Sequence, residues 1–321
     1  MGRRIVVLRR IPEPALDLLR AGGDDVWVSP HDRPLTTEEL HEAAAGADAI
    51  LSLLHDRVDG AFLDAAGPQL QVVANVAVGY DNVDVAACTE RGVRFTNTPG
   101  VLTEATADLA FSLILMTTRR LAEGERVIRR REPWTWNMFY LLGTSIQSKT
   151  LGVVGLGQIG AATARRAKAF GMGILYSSRR EADPAVVTEL GSRRVDFDEL
   201  LETSDVVSLH CPLLPETHHL IDAGRLAQMR SDAYLINTTR GPVVDEAALA
   251  AALRDGVIAG AGLDVFEREP EVHPDLLGLD NVVLLPHLGS ATIETRTAMG
   301  VLAAENALAV LSGQDPPTPV N

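Results

Sequence analysis

The stretch from residue 151 to residue 160 reads Leu151-Gly152-Val153-Val154-Gly155-Leu156-Gly157-Gln158-Ile159-Gly160. Residues 151–154 have the apolar character of a buried strand, and a helical pattern continues to Phe170. The glycines allow a tight turn, close approach of a pyrophosphate and close helix–strand contact, while the helix N-terminus offers free N–H groups to the anion. The motif alone is weak evidence, but here the strand and the helix lie where a dinucleotide site needs them. We therefore predict a cofactor-binding loop formed by Gly155, Gly157, Gln158, Ile159 and Gly160.

The end of the next strand indicates which dinucleotide binds. An acidic residue about 20 positions after the loop would bind the ribose 2′-hydroxyl of NAD. Tyr176 is instead followed by Ser177-Ser178-Arg179-Arg180, with no carboxylate before Glu181. Because arginine binds phosphate bidentately, we predict that Ser177, Arg179 and Arg180 hold the 2′-phosphate of NADP(H), with NAD(H) still possible. The alternative is that both arginines lie in a solvated turn.

Around this loop, strand-like and helical segments alternate along a chain of 321 residues, which predicts two domains. The expected strands before residue 100 are Ile5–Leu8, Val26–Val28, Ala49–Leu53, Val72–Ala74 and Arg94–Thr96. Those after Lys149 are Leu151–Val154, Ile174–Tyr176, Val206–Leu209, Tyr234–Asn237, Gly260–Leu263 and Val282–Leu285. Strand–helix alternation predicts an α/β fold with two lobes, each built on a parallel sheet.

Two further helices are predicted, one between the two lobes and one at the end of the chain. A long helix is expected from about Thr103 to Arg131, and its segment Ala107–Thr117 is apolar on nearly every side. Such a helix is buried either in a core or against a second subunit, and we favour a homodimer interface. The last helix, Ile293–Leu311, is expected to return to the first lobe and make it discontinuous. Only the Pro-rich end, residues 316–321, is expected to be disordered.

The net charge of −14 argues against a nucleic-acid partner, because such a surface needs a basic stripe. The start of the chain has no apolar segment with a cleavage site, and no apolar run is long enough to span a membrane. The two cysteines, Cys88 and Cys211, form neither a disulfide framework nor a metal-binding spacing. We expect a cytoplasmic protein without a metal, a membrane or a nucleic-acid partner.

Polar residues follow several of the predicted strands. Because ligands bind at the carboxyl ends of parallel strands, these residues are expected to converge near the glycine loop. His210, Arg240, Asp264, Glu269 and His287 are the candidates. Taken singly, each is more often a solvated or structural residue, and His210 is the weakest of them.

The converging residues suit one reaction. Hydride reduction of a ketone leaves charge on its oxygen and needs a proton donor that titrates near neutrality, for which histidine is suited. A carboxylate fixes the ring and stabilises its protonated form, so Glu269 and His287 are a plausible pair. Arg240 could bind a substrate carboxylate, and Gly241 beside it would leave room for the ligand. The predicted partner is a small 2-oxo or 2-hydroxy acid.

Six ordered segments resemble the D-isomer-specific 2-hydroxyacid dehydrogenase family, and the similarity covers nearly the whole chain. The segments are Val78–Asp84, Asn97–Thr103, Gly155–Gly160, Asn237–Pro242, Gly262–Phe266 with Glu269-Pro270, and Pro286–Thr292. The resemblance implies two Rossmann-like or flavodoxin-like lobes with the active site in the cleft between them. It also implies a substrate-binding domain of residues 1–98 with 289–321, a dinucleotide-binding domain of residues 99–288, and a homodimer.

The resemblance further implies a role for each matching residue. Arg240 would anchor the substrate, Glu269 would support His287 as acid–base, and the N–H groups of Val78 and Gly79 would hold the substrate carboxylate. Asp264 would bind the nicotinamide carboxamide. The other implied cofactor-binding residues are Thr106, His210, Pro212, Thr217, Thr238, Thr239, His287 and Gly289.

Within that family the chain looks most like the glyoxylate/hydroxypyruvate reductases, which tend to prefer NADPH. Trp136 matches a position that reaches the partner's active site, although it could simply lie in the interface. His55 departs from the family pattern and could narrow the substrate pocket. The alternatives are an NAD-linked dehydrogenase of another acid, such as 3-phosphoglycerate, and a cofactor-sensing binding protein of the corepressor type.

Overall fold

The structure is a computed structural model that describes residues 2–321. The chain forms two compact units, one of Met1–Leu102 with Ser290–Asn321 and the other of Thr103–Gly289. Among the described residues, no helix combines the length and apolarity needed to cross a membrane.

The first unit is a parallel sheet of five strands in the order β2-β1-β3-β4-β5. Its strands are β1 (Arg4–Val7), β2 (Asp25–Val28), β3 (Ala49–Ser52), β4 (Val72–Asn75) and β5 (Arg94–Thr96). Its helices are α1 (Glu13–Arg20), α2 (Thr37–Ala44), α3 (Gly60–Ala66), α4 (Val85–Glu90) and, numbered in chain order, α13 (Ile293–Leu311). Helix α13 packs against α1, β3 and β4, so the C-terminal segment is part of this unit. The strand order is that of flavodoxin-like folds.

The second unit is a parallel sheet of seven strands in the order β12-β11-β10-β9-β6-β7-β8. Its strands are β6 (Thr150–Val154), β7 (Gly173–Ser177), β8 (Arg193–Arg194), β9 (Val206–Leu209), β10 (Tyr234–Asn237), β11 (Gly260–Leu263) and β12 (Val282–Leu284). Its helices are α5 (Thr103–Thr118), α6 (Leu121–Arg129), α7 (Gln158–Ala169), α8 (Pro184–Leu190), α9 (Phe197–Thr203), α10 (Ala223–Gln228), α11 (Glu246–Arg254) and α12 (Pro274–Leu277).

Helices cover both faces of this second sheet. One apolar core lies under α5 and α7 and includes Leu113, Ile114 and Leu151, and the other lies under α9 to α11 and includes Leu200 and Leu249. The order of the strands is that of a Rossmann fold, with the switch point between β6 and β9. The predicted α/β class with two parallel-sheet lobes is confirmed.

The single long helix predicted from Thr103 to Arg131 is wrong. Helix α5 ends at Thr118 and α6 begins at Leu121, with Arg120 in the left-handed region at φ 51°. The carbonyl of Thr118 accepts a hydrogen bond from the N–H of Thr144, 2.7 Å away, instead of from the next helical turn. A contact with a distant loop therefore ends the helix.

Helix α5 is partly covered by its own unit: Leu113 and Ile114 are buried, whereas Leu109, Leu115 and Met116 are half-buried. The expectation of disorder at the end of the chain needs correction. The Pro-rich end is ordered, because the Val320 N–H donates to the Phe95 carbonyl at 2.9 Å and Thr318 bonds Asn306.

Candidate active site

The glycine loop joins β6 to α7 at the switch point of the second sheet. Gly155 has φ +96°, and a Cβ there would lie 2.9 Å from the backbone of His210. A Cβ on Gly160 would lie 2.3 Å from the Gly155 carbonyl oxygen, so this glycine allows the helix to approach the strand. At Gly157 the space is open, and no side chain caps the first turn of α7. The loop therefore presents free N–H groups and room for a phosphate.

Two buried polar atoms that follow the neighbouring strands β9 and β10 have no partner in the described part of the chain. They are Nδ1 of His210, after β9, and Oγ1 of Thr238, after β10. Buried polar groups are normally hydrogen-bonded, so unsatisfied atoms beside a phosphate-type loop fit a site that is completed by a polar ligand. The residues present thus fit a bound nicotinamide dinucleotide.

The turn after β7 contains the residues predicted to select NADP. The Ser177 carbonyl accepts the Gly155 N–H at 2.8 Å, and Ser178 Oγ accepts the Leu156 N–H at 2.8 Å. Arg179 and Arg180 are exposed, and within residues 2–321 neither forms an ion pair with a carboxylate. The turn therefore holds two guanidinium groups beside the glycine loop.

His287 and Glu269 form a hydrogen-bonded pair of titratable groups at the carboxyl edge of this sheet. The His287 Nδ1 atom lies 2.8 Å from Glu269 Oε2, and Glu269 Oε1 accepts the Phe266 N–H at 3.1 Å. Both side chains are largely buried, and His287 has a left-handed backbone, with φ 53°, that is held by its N–H donating to the Asp264 carbonyl. With Nδ1 bound to the carboxylate, Nε2 is the nitrogen that can exchange a proton with a ligand.

Arg240 lies in a loop after β10 that Asn237 organises. The side chain of Asn237 accepts from the N–H and hydroxyl of Thr239 and donates to the Arg240 carbonyl at 2.9 Å. Arg240 is partly buried, and its Nη1 donates to the Thr239 carbonyl. The side-chain cap therefore fixes the backbone on both sides of the residue predicted to anchor the substrate.

The expected role of Gly241 needs correction. A Cβ at this position would lie 1.8 Å from the carbonyl carbon of Phe266 and 2.3 Å from the Glu267 nitrogen. The missing side chain thus makes room for the protein backbone and not for a ligand. It brings the Arg240 loop into contact with the loop that leads to Glu269.

Asp264 follows β11 and is almost fully buried. Its Oδ1 accepts the Leu288 N–H at 2.7 Å and its Oδ2 accepts the Gly289 N–H at 2.8 Å. Burial raises the pKa of this carboxyl group, and the two N–H donors act against that shift. Thr106 donates to the Gly289 carbonyl at 3.3 Å. Asp264 therefore holds the turn that follows His287, and each oxygen keeps a second lone pair for a ligand.

The loop after β9 contains three of the other cofactor candidates. Thr217 Oγ1 donates to the Pro212 carbonyl at 2.7 Å and accepts the Leu214 N–H, so it closes this loop. His210 Nε2 lies 2.9 Å from Ser208 Oγ. Burial lowers the pKa of His210 to about 4, so this ring is neutral near neutral pH.

The substrate-binding candidates of the first unit follow β3 and β4. The carbonyls of Val78 and Gly79 accept hydrogen bonds from Asn97 and Asn75, whereas no oxygen of residues 2–321 accepts either N–H. The two N–H groups are thus held in place with their donor capacity unused. His55 is exposed in the turn after β3.

The remaining candidate, Trp136, lies in a segment that has many exposed apolar side chains. We call these residues the 121–142 patch: Leu121, Ile128, Trp134, Trp136, Met138, Phe139 and Leu142. Trp136 is 74% exposed and Phe139 84% exposed. Apolar surface of this extent is typical of an interaction site.

Sequence reasoning missed a pair of carboxylates that connect the segments after β10 and β11. The Glu246 N–H donates to Glu267 Oε1 at 2.8 Å, and the Glu267 N–H donates back to Glu246 Oε1. Glu246 is buried, which raises its pKa, and His219 lies 3.3 Å from Glu267. A glutamate two positions after Gly241-Pro242-Val243-Val244 gives no separate signal in the sequence, because the pairing with Glu267 exists only in the fold.

Comparison with known proteins assigns the family. Residues 111–289 match the model of the "D-isomer specific 2-hydroxyacid dehydrogenase, NAD binding domain" family. A glyoxylate reductase from Thermococcus onnurineus is 48% identical over 100% of this chain and 96% of its own length.

Solved structures agree with this assignment. A protein from Thermus thermophilus is 45% identical and superimposes with a TM-score of 0.93 over 99% of this chain and 100% of that one. An NADPH-dependent glyoxylate/hydroxypyruvate reductase from Sinorhizobium meliloti, in complex with NADP and malonate, is 36% identical with a TM-score of 0.85, over 100% of this chain and 97% of that one. The chain therefore belongs to the D-isomer-specific 2-hydroxyacid dehydrogenases and is a nicotinamide-dependent enzyme of that family.

Proposed function

We propose that this dehydrogenase reduces glyoxylate or hydroxypyruvate to the D-2-hydroxy acid with NADPH. The observation that carries the proposal is the 2.8 Å contact between His287 Nδ1 and Glu269 Oε2. Glu269 lies on the loop after β11, and Gly241 allows that loop to contact the Arg240 loop. It provides a proton donor beside a guanidinium, as reduction of a 2-oxo acid requires.

A bound nicotinamide would supply the hydride that reduces the carbonyl carbon of the substrate. His287 donates its Nε2 proton to the carbonyl oxygen, and Glu269 balances the positive charge of the ring before that transfer. Arg240 binds the substrate carboxylate through its planar fork. The N–H groups of Val78 and Gly79 stay candidates for binding a substrate carboxylate. Thr106, Thr238, Thr239, Asp264 and Gly289 would hold the nicotinamide end of the cofactor.

The preference for NADPH rests on the turn after β7. Arg179 and Arg180 lack carboxylate partners within the described chain, whereas nearby Arg165 and Arg193 have them. Two unneutralised guanidinium groups beside a phosphate loop suit a 2′-phosphate. The Sinorhizobium meliloti relative, which is NADPH-dependent, supports the same choice.

We also propose a homodimer formed through the 121–142 patch, with Trp136 as a candidate to reach the partner subunit. The support comes from the exposure of this patch, because α5 buries Leu113 and Ile114 in its own unit and does not by itself require a partner. The cytoplasmic location expected from the sequence stays a prediction that cell fractionation can test. His55 stays a candidate for contact with the substrate side chain.

The direct test is an absorbance assay of reduced nicotinamide oxidation with a panel of 2-oxo acids and both cofactors. The proposal expects the highest kcat/KM with NADPH and either glyoxylate or hydroxypyruvate. A preference for NADH overturns the cofactor assignment. The highest activity on another acid, such as the 2-oxo form of 3-phosphoglycerate, overturns the substrate assignment. The glyoxylate reductases that resemble the chain along its whole length favour an enzyme over a binding protein of the corepressor type.

A further inference from the structure

Strand β8 consists of only two arginines, and the second of them contacts the turn that follows β7. Arg194 Nη2 donates to the Ser178 carbonyl at 2.9 Å, and Arg194 Nη1 lies 3.4 Å from Glu181 Oε1. Ser178 and Glu181 are the residues that flank Arg179 and Arg180. One guanidinium therefore contacts both ends of the turn that presents the two free arginines.

The same turn is fixed from the opposite side by the phosphate loop. Ser178 Oγ accepts the N–H of Leu156, which lies between Gly155 and Gly157. Ser178 thus has its side chain bound to the glycine loop and its carbonyl bound to Arg194. The backbone position of the turn relative to the phosphate loop depends on both bonds.

We propose that Arg194 is a positioning residue that selects NADP(H), because it holds Arg179 and Arg180 where the 2′-phosphate of the cofactor would lie. This inference rests on the proposed use of NADPH. The contact with Glu181 contributes little, since that carboxylate is 87% exposed, and the bond to the Ser178 carbonyl carries the effect. No other residue of the strand can replace it, because Arg193 pairs with Glu199 on α9 at 2.8 Å.

Arg193 provides a matched control. Arg193 and Arg194 are neighbours on the same strand and have the same charge, yet only Arg194 contacts the turn. Replacing either by methionine keeps most of the aliphatic stem and removes one positive charge. A general electrostatic effect on the cofactor would therefore appear in both variants, whereas a positioning effect appears in one.

The experiment compares Arg194→Met, Arg194→Lys and Arg193→Met by calorimetric binding of adenosine 2′,5′-bisphosphate and of AMP, together with KM and kcat for both cofactors. We expect Arg194→Met to weaken binding of the bisphosphate and to raise KM for NADPH roughly three- to tenfold, as for loss of one charge-assisted hydrogen bond at a half-exposed site. Binding of AMP, KM for NADH and kcat at saturating NADPH should stay at wild-type values. Arg194→Lys keeps a donor and should recover most of the loss, and Arg193→Met should behave as wild type.

Different results separate this inference from the proposed function. Wild-type enzyme that binds the bisphosphate no better than AMP overturns the NADPH proposal and this inference with it. Wild-type enzyme that prefers NADPH, with Arg194→Met unchanged, overturns only the role of Arg194. Equal losses in Arg193→Met and Arg194→Met also overturn it, because charge alone would then explain them. Should Arg194→Met not fold, Arg194→Gln takes its place with the same expected and contradicting results.

Discussion

At the residue scale, the proposed chemistry depends on side chains whose positions are set by short-range bonds to the backbone. Glu269 accepts a hydrogen bond from the Phe266 N–H of its own loop and holds His287, and Asn237 fixes the backbone around Arg240. The residue types could be predicted from the sequence because each follows a recognisable strand. The bonds that orient them could not, because the sequence pattern does not show which side chain meets which backbone group.

Substitution of the guanidinium tests the role of Arg240. We expect Arg240→Ala to raise KM for glyoxylate by about a hundredfold or more, because a charge-assisted bidentate bond to the substrate carboxylate is lost. Affinity for NADPH should change little. Steady-state kinetics and cofactor titration measure both, and an unchanged KM for the 2-oxo acid would remove Arg240 as the anchor.

His210 predicts an acid-dependent loss of stability. Its pKa is lowered to about 4 from the ordinary 6.5, so below 6.5 the unfolded chain takes up a proton that the folded ring refuses. The neutral His210 ring therefore contributes its full stability above pH 6.5, and this contribution is lost as the pH falls toward 4. We expect the wild-type protein to lose about 2 kcal/mol more than His210→Gln between about pH 7 and pH 5.

Urea unfolding of the cofactor-free protein at both pH values measures this difference. His218→Gln, at an exposed histidine of the same unit, serves as the control. Equal losses in wild type and His210→Gln would show that the buried ring does not carry the effect.

At the element scale, the loops after β10 and β11 are held together by close backbone contact. Gly241 allows the contact, and the exchange of N–H bonds between Glu246 and Glu267 strengthens it. Sequence reasoning assigned Gly241 to ligand access because a glycine beside an arginine is typical of such sites. Only the fold shows that another backbone occupies the space.

A methyl group at this contact should separate the two loops. We expect Gly241→Ala to lower kcat/KM by about a hundredfold, because a shift of about 1 Å between catalytic groups costs that much. Gly278→Ala is the control, since a Cβ there meets nothing within 4 Å. Kinetics of the two variants, with thermal unfolding to check the fold, measure the effect, and near wild-type activity of Gly241→Ala would contradict it.

The predicted strands agree best with the structure where the apolar runs in the sequence are continuous. Strands β9, β10 and β11 match the predicted bounds, because buried parallel strands consist of such runs. Strand β8 was missed because two arginines have no strand-like character, and it forms through pairing with β7. The break between α5 and α6 was missed because neither glycine nor proline marks it.

At the scale of the whole molecule, the two-lobed α/β architecture could be predicted from alternation of strands and helices. The assembly state could not be derived from α5, because an apolar helix indicates burial without saying what covers it. The structure buries Leu113 and Ile114 of α5 in their own unit and leaves the 121–142 patch exposed. A prediction about assembly therefore belongs to that patch.

We expect wild-type protein to be a dimer by light scattering and Phe139→Glu to be mainly monomeric, because a charge would be placed in an apolar interface. Ile293→Glu is the control, since both side chains are 84% exposed and Ile293 lies outside the patch. A monomeric wild-type protein, or a Phe139→Glu dimer of unchanged stability, would contradict the proposed interface.

The most direct test of the account is the turnover of His287→Ala with glyoxylate, measured beside its affinity for NADPH. We expect kcat to fall by about a thousandfold, as for loss of a general acid, while the NADPH dissociation constant stays within about threefold of wild type. His218→Ala should retain normal turnover. A His287→Ala enzyme that keeps about a tenth or more of wild-type kcat would show that this imidazole is not the proton donor.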